Sequence, residues 1–116
     1  MSISENLKRG VTELVLLGLL TQQDMYGYEM AQALQQRSGG RFVLLESSMY
    51  PTLYRLEDRG YVSTRQELVG KRRTRMYYHL EPAGAEYLRA NLEEYLEMQA
   101  GVRAILKSCN LGGTAP

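Results

Sequence analysis

Four cationic residues within five positions are the clearest sign of chemistry in this amino-acid sequence. Lys71, Arg72, Arg73 and Arg75 follow a glycine, and no acidic residue interrupts them. Ammonium and guanidinium groups at the tip of a turn can neutralise phosphates, and each neutralised phosphate releases counterions. The cluster therefore predicts contact with a nucleic-acid backbone. The alternative is a turn whose charges meet only solvent.

A segment with helical periodicity precedes the cations and carries groups that suit DNA contacts. Met49, Leu53 and Leu56 recur at i, i+4 and i+7, which predicts the buried face of a helix. Ser48 is the predicted N-cap, so Pro51 falls at N3, where its missing N–H breaks no helical hydrogen bond. The residues predicted to turn from this helix toward a phosphate or a base edge are Ser47, Ser48, Thr52, Arg55 and either Tyr50 or Tyr54, of which Tyr50, at the helix start, is the preferred contact.

The elements that must position these groups follow from the same kind of pattern. Residues 5–20 and 26–37 have the apolar periodicity of two helices, and Asp24 is placed to cap the second one. Alternation in residues 61–69 and 75–80 predicts two paired strands joined by a glycine-led tip. A helix followed by a hairpin with a cationic tip outlines a winged helix. That fold places the helix in the major groove of DNA and the hairpin on the backbone or in the minor groove.

The tyrosines divide between packing and contact. Aromatic residues at strand spacing usually pack against neighbouring strands, so packing is expected for Tyr54, Tyr61, Tyr77 and Tyr78. Tyr26 and Tyr28 flank Gly27 at the start of the second helix, and one of them, with Tyr26 preferred, is a further candidate for contact with the DNA backbone.

These segments resemble the PadR-like family of transcriptional regulators, and the resemblance covers residues 5–107. The run SMYPTLYRLE at residues 48–57 is similar to the recognition-helix signature of that family, and YGYE at residues 26–29 is similar to its second helix. Residues 71–78 and Gly84 resemble its wing and the start of its last helix. The resemblance implies a mainly α fold with a small β-hairpin, in which a winged helix-turn-helix precedes one long C-terminal dimerisation helix.

The last predicted helix, residues 83–108, has more apolar surface than a small winged helix can cover. Two series of mostly apolar residues recur along it at every seventh position, as they do in a coiled coil. Contact with a second copy of the chain would cover this ridge, which predicts a homodimer. The residues assigned to the dimer seam, or to a ligand held there, are Leu7, Val11, Leu88, Leu92, Tyr95, Leu96, Gln99, Val102 and Leu106.

Tyr95 is the candidate residue for binding a small molecule. The resemblance is to the short branch of the family, which has a single C-terminal helix. It implies an aromatic residue near this position that stacks flat ligands at the dimer centre. A planar hydrophobic or phenolic effector is therefore expected, with ordinary interface packing of Tyr95 as the alternative.

Length and charge fit a small regulator with two different faces. The chain has 116 residues and a net charge of +1, and residues 81–97 hold five glutamates against one arginine. We expect a winged helix-turn-helix domain over residues 1–80, a dimerisation helix over 81–109 and a flexible tail over 110–116. We expect a cytoplasmic protein. The sequence has one cysteine, it shows no signal-peptide pattern, and it has no apolar run long enough to span a bilayer.

The spacing of a catalytic, metal or nucleotide site is absent from the sequence. His79 and Cys109 lie far apart, so no metal, no cofactor and no enzymatic activity are expected. Together the patterns predict a homodimeric DNA-binding repressor of a palindromic operator, released by a small aromatic ligand at the dimer centre. The alternative is a helix-mediated protein-interaction module without sequence-specific DNA binding.

Overall fold

The chain forms four helices and a small sheet in a computed structural model, which describes the backbone of residues 3–111 and the side chains of residues 8 and 10–111. The side chain of Leu7 and the predicted tail beyond residue 111 lie outside the described part. No described helix is long and apolar enough to cross a membrane. The elements are α1 (Ile3–Leu20), β1 (Met25–Tyr26), α2 (Gly27–Arg37), α3 (Glu46–Asp58), β2 (Val62–Val69), β3 (Arg73–Leu80) and α4 (Pro82–Ser108).

The predicted buried face of α3 is confirmed. Met49, Leu53 and Leu56 are fully buried between α1, α2 and the sheet. Burying a side chain of this size contributes about 1.5–3 kcal/mol relative to leaving it exposed. The other members of this core are Leu16, Leu17, Leu19, Leu20, Met25, Met30, Leu34, Val62 and Tyr78. The mainly α architecture with a winged hairpin is therefore as the sequence predicts.

A two-residue strand, β1, was not among the predicted elements. It pairs antiparallel with β3, with Met25 opposite Tyr78 and Tyr26 opposite Tyr77, and it completes a three-stranded sheet of order β1-β3-β2. The prediction that Asp24 caps α2 is wrong, because Tyr26 is the N-cap and its N–H donates to Glu29 Oε1 over 3.1 Å. Pairing of β1 with the hairpin thus ties the start of α2 to the wing.

Helix α3 begins at Glu46, three residues before the predicted start, and Leu45 is its N-cap. The Tyr50 hydroxyl donates to Glu46 Oε2 over 2.7 Å, and a carboxylate in the first turn also suits the positive end of the helix dipole. The predicted N-cap, Ser48, therefore lies inside the helix. Pro51 lies in the second turn, where a proline leaves the carbonyl of residue i−4 without its helical partner. That carbonyl belongs to Ser47, which is exposed to water.

The hairpin is longer than predicted, and this changes where the cations lie. Strand β3 begins at Arg73, which is opposite Val69, and Arg75 is opposite Glu67. Only residues 71–72 and Gly70, with a φ of +74°, occupy the turn. The prediction that all four cations lie at the tip is therefore wrong, because two of them belong to a strand.

A close contact between Tyr61 and the start of α4 joins the two halves of the fold. The Tyr61 carbonyl accepts a hydrogen bond from Glu81 N–H over 3.0 Å. A Cβ on Gly84 would overlap the same carbonyl, so only glycine allows this approach. The Tyr61 ring stacks on Tyr87, with ring centroids 4.3 Å apart, and the Tyr87 hydroxyl donates to Glu13 Oε1 over 2.5 Å. The start of α4 is thereby fixed to both the hairpin and α1.

Most of α4 extends beyond the core of its own chain. The radius of gyration is 16.5 Å, whereas about 13 Å is expected for a compact domain of this length. The 27 residues of α4 rise by about 40 Å at 1.5 Å per residue. The only α4 residue that is fully buried lies in its first turn, at Gly84. The rest of the helix therefore presents side chains that this chain alone does not cover.

We predict that Gly84→Ala destabilises the protein, because the added methyl group must displace the Tyr61 carbonyl. The free energy of unfolding should fall by roughly 1–3 kcal/mol, as is typical of overpacking. The matched control is Gly18→Ala in α1, where an added Cβ meets no atom within 4 Å and alanine favours the helix by about 1 kcal/mol. Urea denaturation of both variants measures the difference, and an unchanged midpoint for Gly84→Ala would contradict the close contact.

Candidate functional site

The solvent-facing side of α3 carries only part of the predicted set, because Ser47, Ser48 and Arg55 are exposed but Tyr50 and Thr52 are not. Ser47, Pro51, Tyr54 and Asp58 are exposed at intervals of three or four residues, so they share one face of the helix. Thr52 is only 7% exposed. The prediction that Thr52 turns outward is wrong, because it lies one turn before the buried Leu56 and on the same side of the helix.

The two tyrosines of α3 have exchanged the roles that the sequence predicted for them. Tyr50 is half-buried, and its hydroxyl lies against Gly27 and donates to Glu46. Burial of the Tyr50 hydroxyl raises its pKa above the usual range, and the hydrogen bond to Glu46 is the second cause of this rise. Tyr54 is 56% exposed and stacks on Tyr50, with centroids 6.1 Å apart. Tyr54 is thus the phenol that α3 offers to a partner, and its seven-residue spacing from the exposed Ser47 was the available signal.

The remaining predicted residues of α3 lie toward the α1 side of the helix. Ser48 and Arg55 are exposed, but they lie on a different face of α3 from Tyr54, on the side next to α1. Arg55 Nη2 donates to Thr52 Oγ1 over 3.2 Å, and Arg55 Nη1 lies 3.5 Å from the Pro51 carbonyl. These bonds hold the guanidinium along the helix.

The four predicted wing cations are not equivalent in the structure. Lys71, Arg72 and Arg73 are exposed at the turn and at the first position of β3. Arg75 instead lies with its guanidinium carbon 4.3 Å from the centroid of the Tyr26 ring, a cation–π contact. The sequence predicted both Arg75 and Tyr26 as DNA contacts. The structure packs these two side chains against each other, so each covers part of the surface through which the other could contact DNA.

Charged and aromatic side chains brace the base of the wing. Tyr77 packs edge to face on Tyr26 with centroids 5.4 Å apart, and the Arg65 guanidinium carbon lies 5.1 Å from the Tyr77 ring centroid. Arg65 also pairs with Asp24, whose other oxygen lies 2.8 Å from His79 Nδ1. The hydrogen bond from His79, with a further one from Arg65, lowers the pKa of Asp24 below its usual range. Neither Asp24 nor Arg65 showed this role in the sequence, because Asp24 lies in the loop before β1 while Arg65 and His79 lie on β2 and β3.

The predicted dimer ridge on α4 is largely exposed in the single chain. Leu92, Tyr95, Leu96, Val102 and Leu106 are exposed, and Leu96 reaches 51%. Two of the other predicted residues differ from these five. Leu88 packs against the core of its own chain, and Gln99 is half-buried.

A groove of about 890 Å³ separates the first half of α1 from the middle of α4. Tyr95 forms part of its wall, together with Val11 and Met98. Three glutamates, Glu93, Glu94 and Glu97, complete most of the lining. The groove therefore combines apolar side chains with negative charge. Among the described residues, no group of three or more His, Cys, Asp or Glu side chains is arranged to hold a metal ion.

Comparison with known proteins places this geometry among transcriptional regulators. The model of the transcriptional regulator PadR-like family matches residues 16–90. A transcriptional regulator from Clostridium thermocellum is 27% identical and has a TM-score of 0.79, and the match covers 85% of this chain and 96% of that one. PadR from Bacillus subtilis, solved in complex with operator DNA, is 27% identical with a TM-score of 0.66 over 71% of this chain and 47% of that chain. The transcriptional regulator YqjI from Escherichia coli is 28% identical over 95 residues, which span 82% of this chain and 44% of YqjI.

Proposed function

Since the chain belongs to the PadR-like family of transcriptional regulators, we propose that it is a homodimeric repressor that binds a palindromic site in double-stranded DNA. The family consists of transcriptional regulators, so the expectation that the chain is not an enzyme is confirmed. The observation that carries the DNA proposal is the juxtaposition of the exposed face of α3 with a hairpin whose turn holds free cations.

The shape of this surface suits duplex DNA. An α-helix with its side chains is about 10–12 Å across, and the major groove of B-DNA is about 12 Å wide. With α3 in that groove, Ser47 and Tyr54 face the base edges, while Lys71, Arg72 and Arg73 on the wing meet phosphates. The related PadR from Bacillus subtilis was solved with operator DNA, which supports assigning the same partner to this chain.

The exposed ridge of α4 supports the homodimer. Leu92, Leu96, Val102 and Ile105 leave apolar side chains in water along a helix of 27 residues, and Ile105 is 63% exposed. A second copy of the same ridge is the occupant that matches it in length and apolar character, because heptad-spaced ridges pack against each other as coiled coils. Two subunits related by a twofold axis would then present two α3 helices to a palindrome.

A small effector is the finer part of the proposal. The groove beside Tyr95 is about 890 Å³, which is within the usual range of ligand pockets, roughly 300–1,000 Å³. Its apolar side chains and its three glutamates favour a planar aromatic compound that carries a positive charge, in addition to the phenolic class expected from the sequence. Such a ligand weakens DNA binding if it prefers a dimer whose α3 helices are wrongly spaced for the operator.

We predict that Arg72→Ala combined with Arg73→Ala weakens binding to operator and random duplex alike, because phosphate contacts position a protein without reading bases. The slope of log affinity against log salt should flatten by about 0.9 for each lost phosphate contact. The matched control replaces the exposed Arg37 and Arg89 on α2 and α4. A wild-type slope in the wing variant would contradict the role of the wing, and absence of any salt-dependent binding would favour the protein-interaction alternative.

We predict that Leu92→Glu converts the dimer to monomers, because it places a charge in an apolar seam. Ala90→Glu is the control, since Ala90 is exposed and lies about 200° around the helix from Leu92 at 100° per residue. Sedimentation equilibrium of both variants and of the wild type measures the oligomeric state. A fully dimeric Leu92→Glu protein would show that another surface forms the dimer.

We predict that planar cationic or phenolic compounds quench tyrosine fluorescence and reduce operator affinity in the wild type, and that Tyr95→Ala abolishes both effects. Tyr95→Phe keeps the aromatic ring and should therefore retain the response to the planar cationic compounds. Tyr28→Ala serves as a control on an exposed tyrosine of α2. If Tyr95→Ala responds to every compound as the wild type does, Tyr95 only packs at the seam.

A further inference from the structure

A second groove lies on the flank of α3 that faces α1, and it brings Ser48 and Arg55, two residues predicted from the sequence to contact DNA, together with Lys8 of α1. Its walls come from α1, the connector of residues 42–45 and α3, and its volume is about 580 Å³. Its lining residues include two cations and three hydroxyl side chains, and none of the lining residues whose side chains the structure describes is acidic. The residues that line it are Lys8, Thr12, Val43, Leu44, Leu45, Ser48, Thr52 and Arg55.

Each of the two cations uses one or two N–H donors of its charged group in hydrogen bonds within the protein, which orient the side chain. Other N–H donors of the same group remain available to a ligand. Lys8 Nζ donates to the Val43 carbonyl over 2.8 Å, and an ammonium group has two further N–H bonds. Arg55 Nη2 donates to Thr52 Oγ1 over 3.2 Å, and a guanidinium group carries five N–H donors in total. Charge-assisted hydrogen bonds from such groups favour an oxyanion, and a phosphate has the geometry to accept several at once.

The position of the groove identifies the source of that oxyanion. The wing lies on one flank of α3, where Thr64 Oγ1 on β2 donates to Glu57 Oε2 over 3.0 Å. Ser48 and Arg55 are nine and two residues before Glu57, which places them roughly on the opposite flank at 100° per residue. A helix that fills a major groove brings its two flanks toward the two phosphate backbones. The wing serves one backbone, and this groove would meet the other.

We propose that the groove seats a backbone phosphate of duplex DNA across the major groove from the wing, with Lys8 and Arg55 as its cationic donors and Ser48 as a hydroxyl donor. The proposal rests on the DNA-binding function proposed above and extends it to α1, which carries no DNA contact in the sequence-based prediction. It makes the grip on DNA two-sided, so that α3 is held in the groove by phosphate contacts on both of its flanks.

The test is a salt titration of duplex binding with Lys8→Gln and Arg55→Gln. Each variant should flatten the slope of log affinity against log salt by about 0.9, for both random and operator duplexes, and Lys8→Arg should restore the wild-type slope. Lys107→Gln, at the far end of α4, is the matched control and should keep that slope. Thermal unfolding and sedimentation establish that each variant is folded and assembled, and Arg55→Gln tests the groove independently of α1.

Three results overturn the proposal in distinguishable ways. If both variants keep the wild-type slope while the Arg72 and Arg73 double variant flattens it, the protein binds DNA but not through this groove. If inorganic phosphate stabilises the wild type against heat, and Lys8→Gln abolishes that effect without changing the DNA slope, the groove belongs to a free anion. If the wild type shows no salt-dependent duplex binding, the proposed function itself fails.

Discussion

The contact between the Tyr61 backbone and α4 is the constraint on which the rest of the geometry depends. Tyr61 N–H donates to the Leu56 carbonyl in the last turn of α3 over 2.9 Å, and the Tyr61 carbonyl accepts from Glu81 N–H over 3.0 Å. Gly84 permits this approach because it has no side chain to fill the space. One residue thus joins the end of α3 to the start of α4, and its ring extends the joint to Tyr87. A change in the angle of α4 would therefore act on the end of α3 through Tyr61.

In the proposed dimer this joint makes α3 and α4 act together. Helix α4 is about 40 Å long, so a rotation of α4 at the dimer seam would change the distance between the two α3 helices. Packed interfaces adopt discrete arrangements and do not deform continuously. The groove beside Tyr95 lies between α1 and α4 of one chain. A molecule bound there would therefore favour one position of α4 relative to α1 over another.

The sequence predicted the elements whose own residues determine them. Met49, Leu53 and Leu56 revealed the buried face of α3, because a helix packed along its length imposes its period on the residue types. The same period assigns Thr52 to the buried side and Tyr54 to the exposed side, and the sequence-based assignment failed because it gave more weight to residue type than to position. The assignments of the DNA and effector sites remain predictions, and they rest on where these residues lie in the fold.

Features that depend on distant partners could not be predicted in this way. Strand β1 has two residues and hence no period, and its partner strand lies about 50 residues further along the chain. Arg75 is the same residue type as Arg72 and Arg73, so the sequence does not distinguish it from them. Only the fold brings the Tyr26 ring next to its guanidinium group. With Arg75 held at the base of the wing, fewer cations remain free to meet phosphates, and the net charge of the chain is only +1. Electrostatic attraction supplies most non-specific binding to DNA, so a regulator with this distribution would depend on contacts from the exposed face of α3 to remain at its operator.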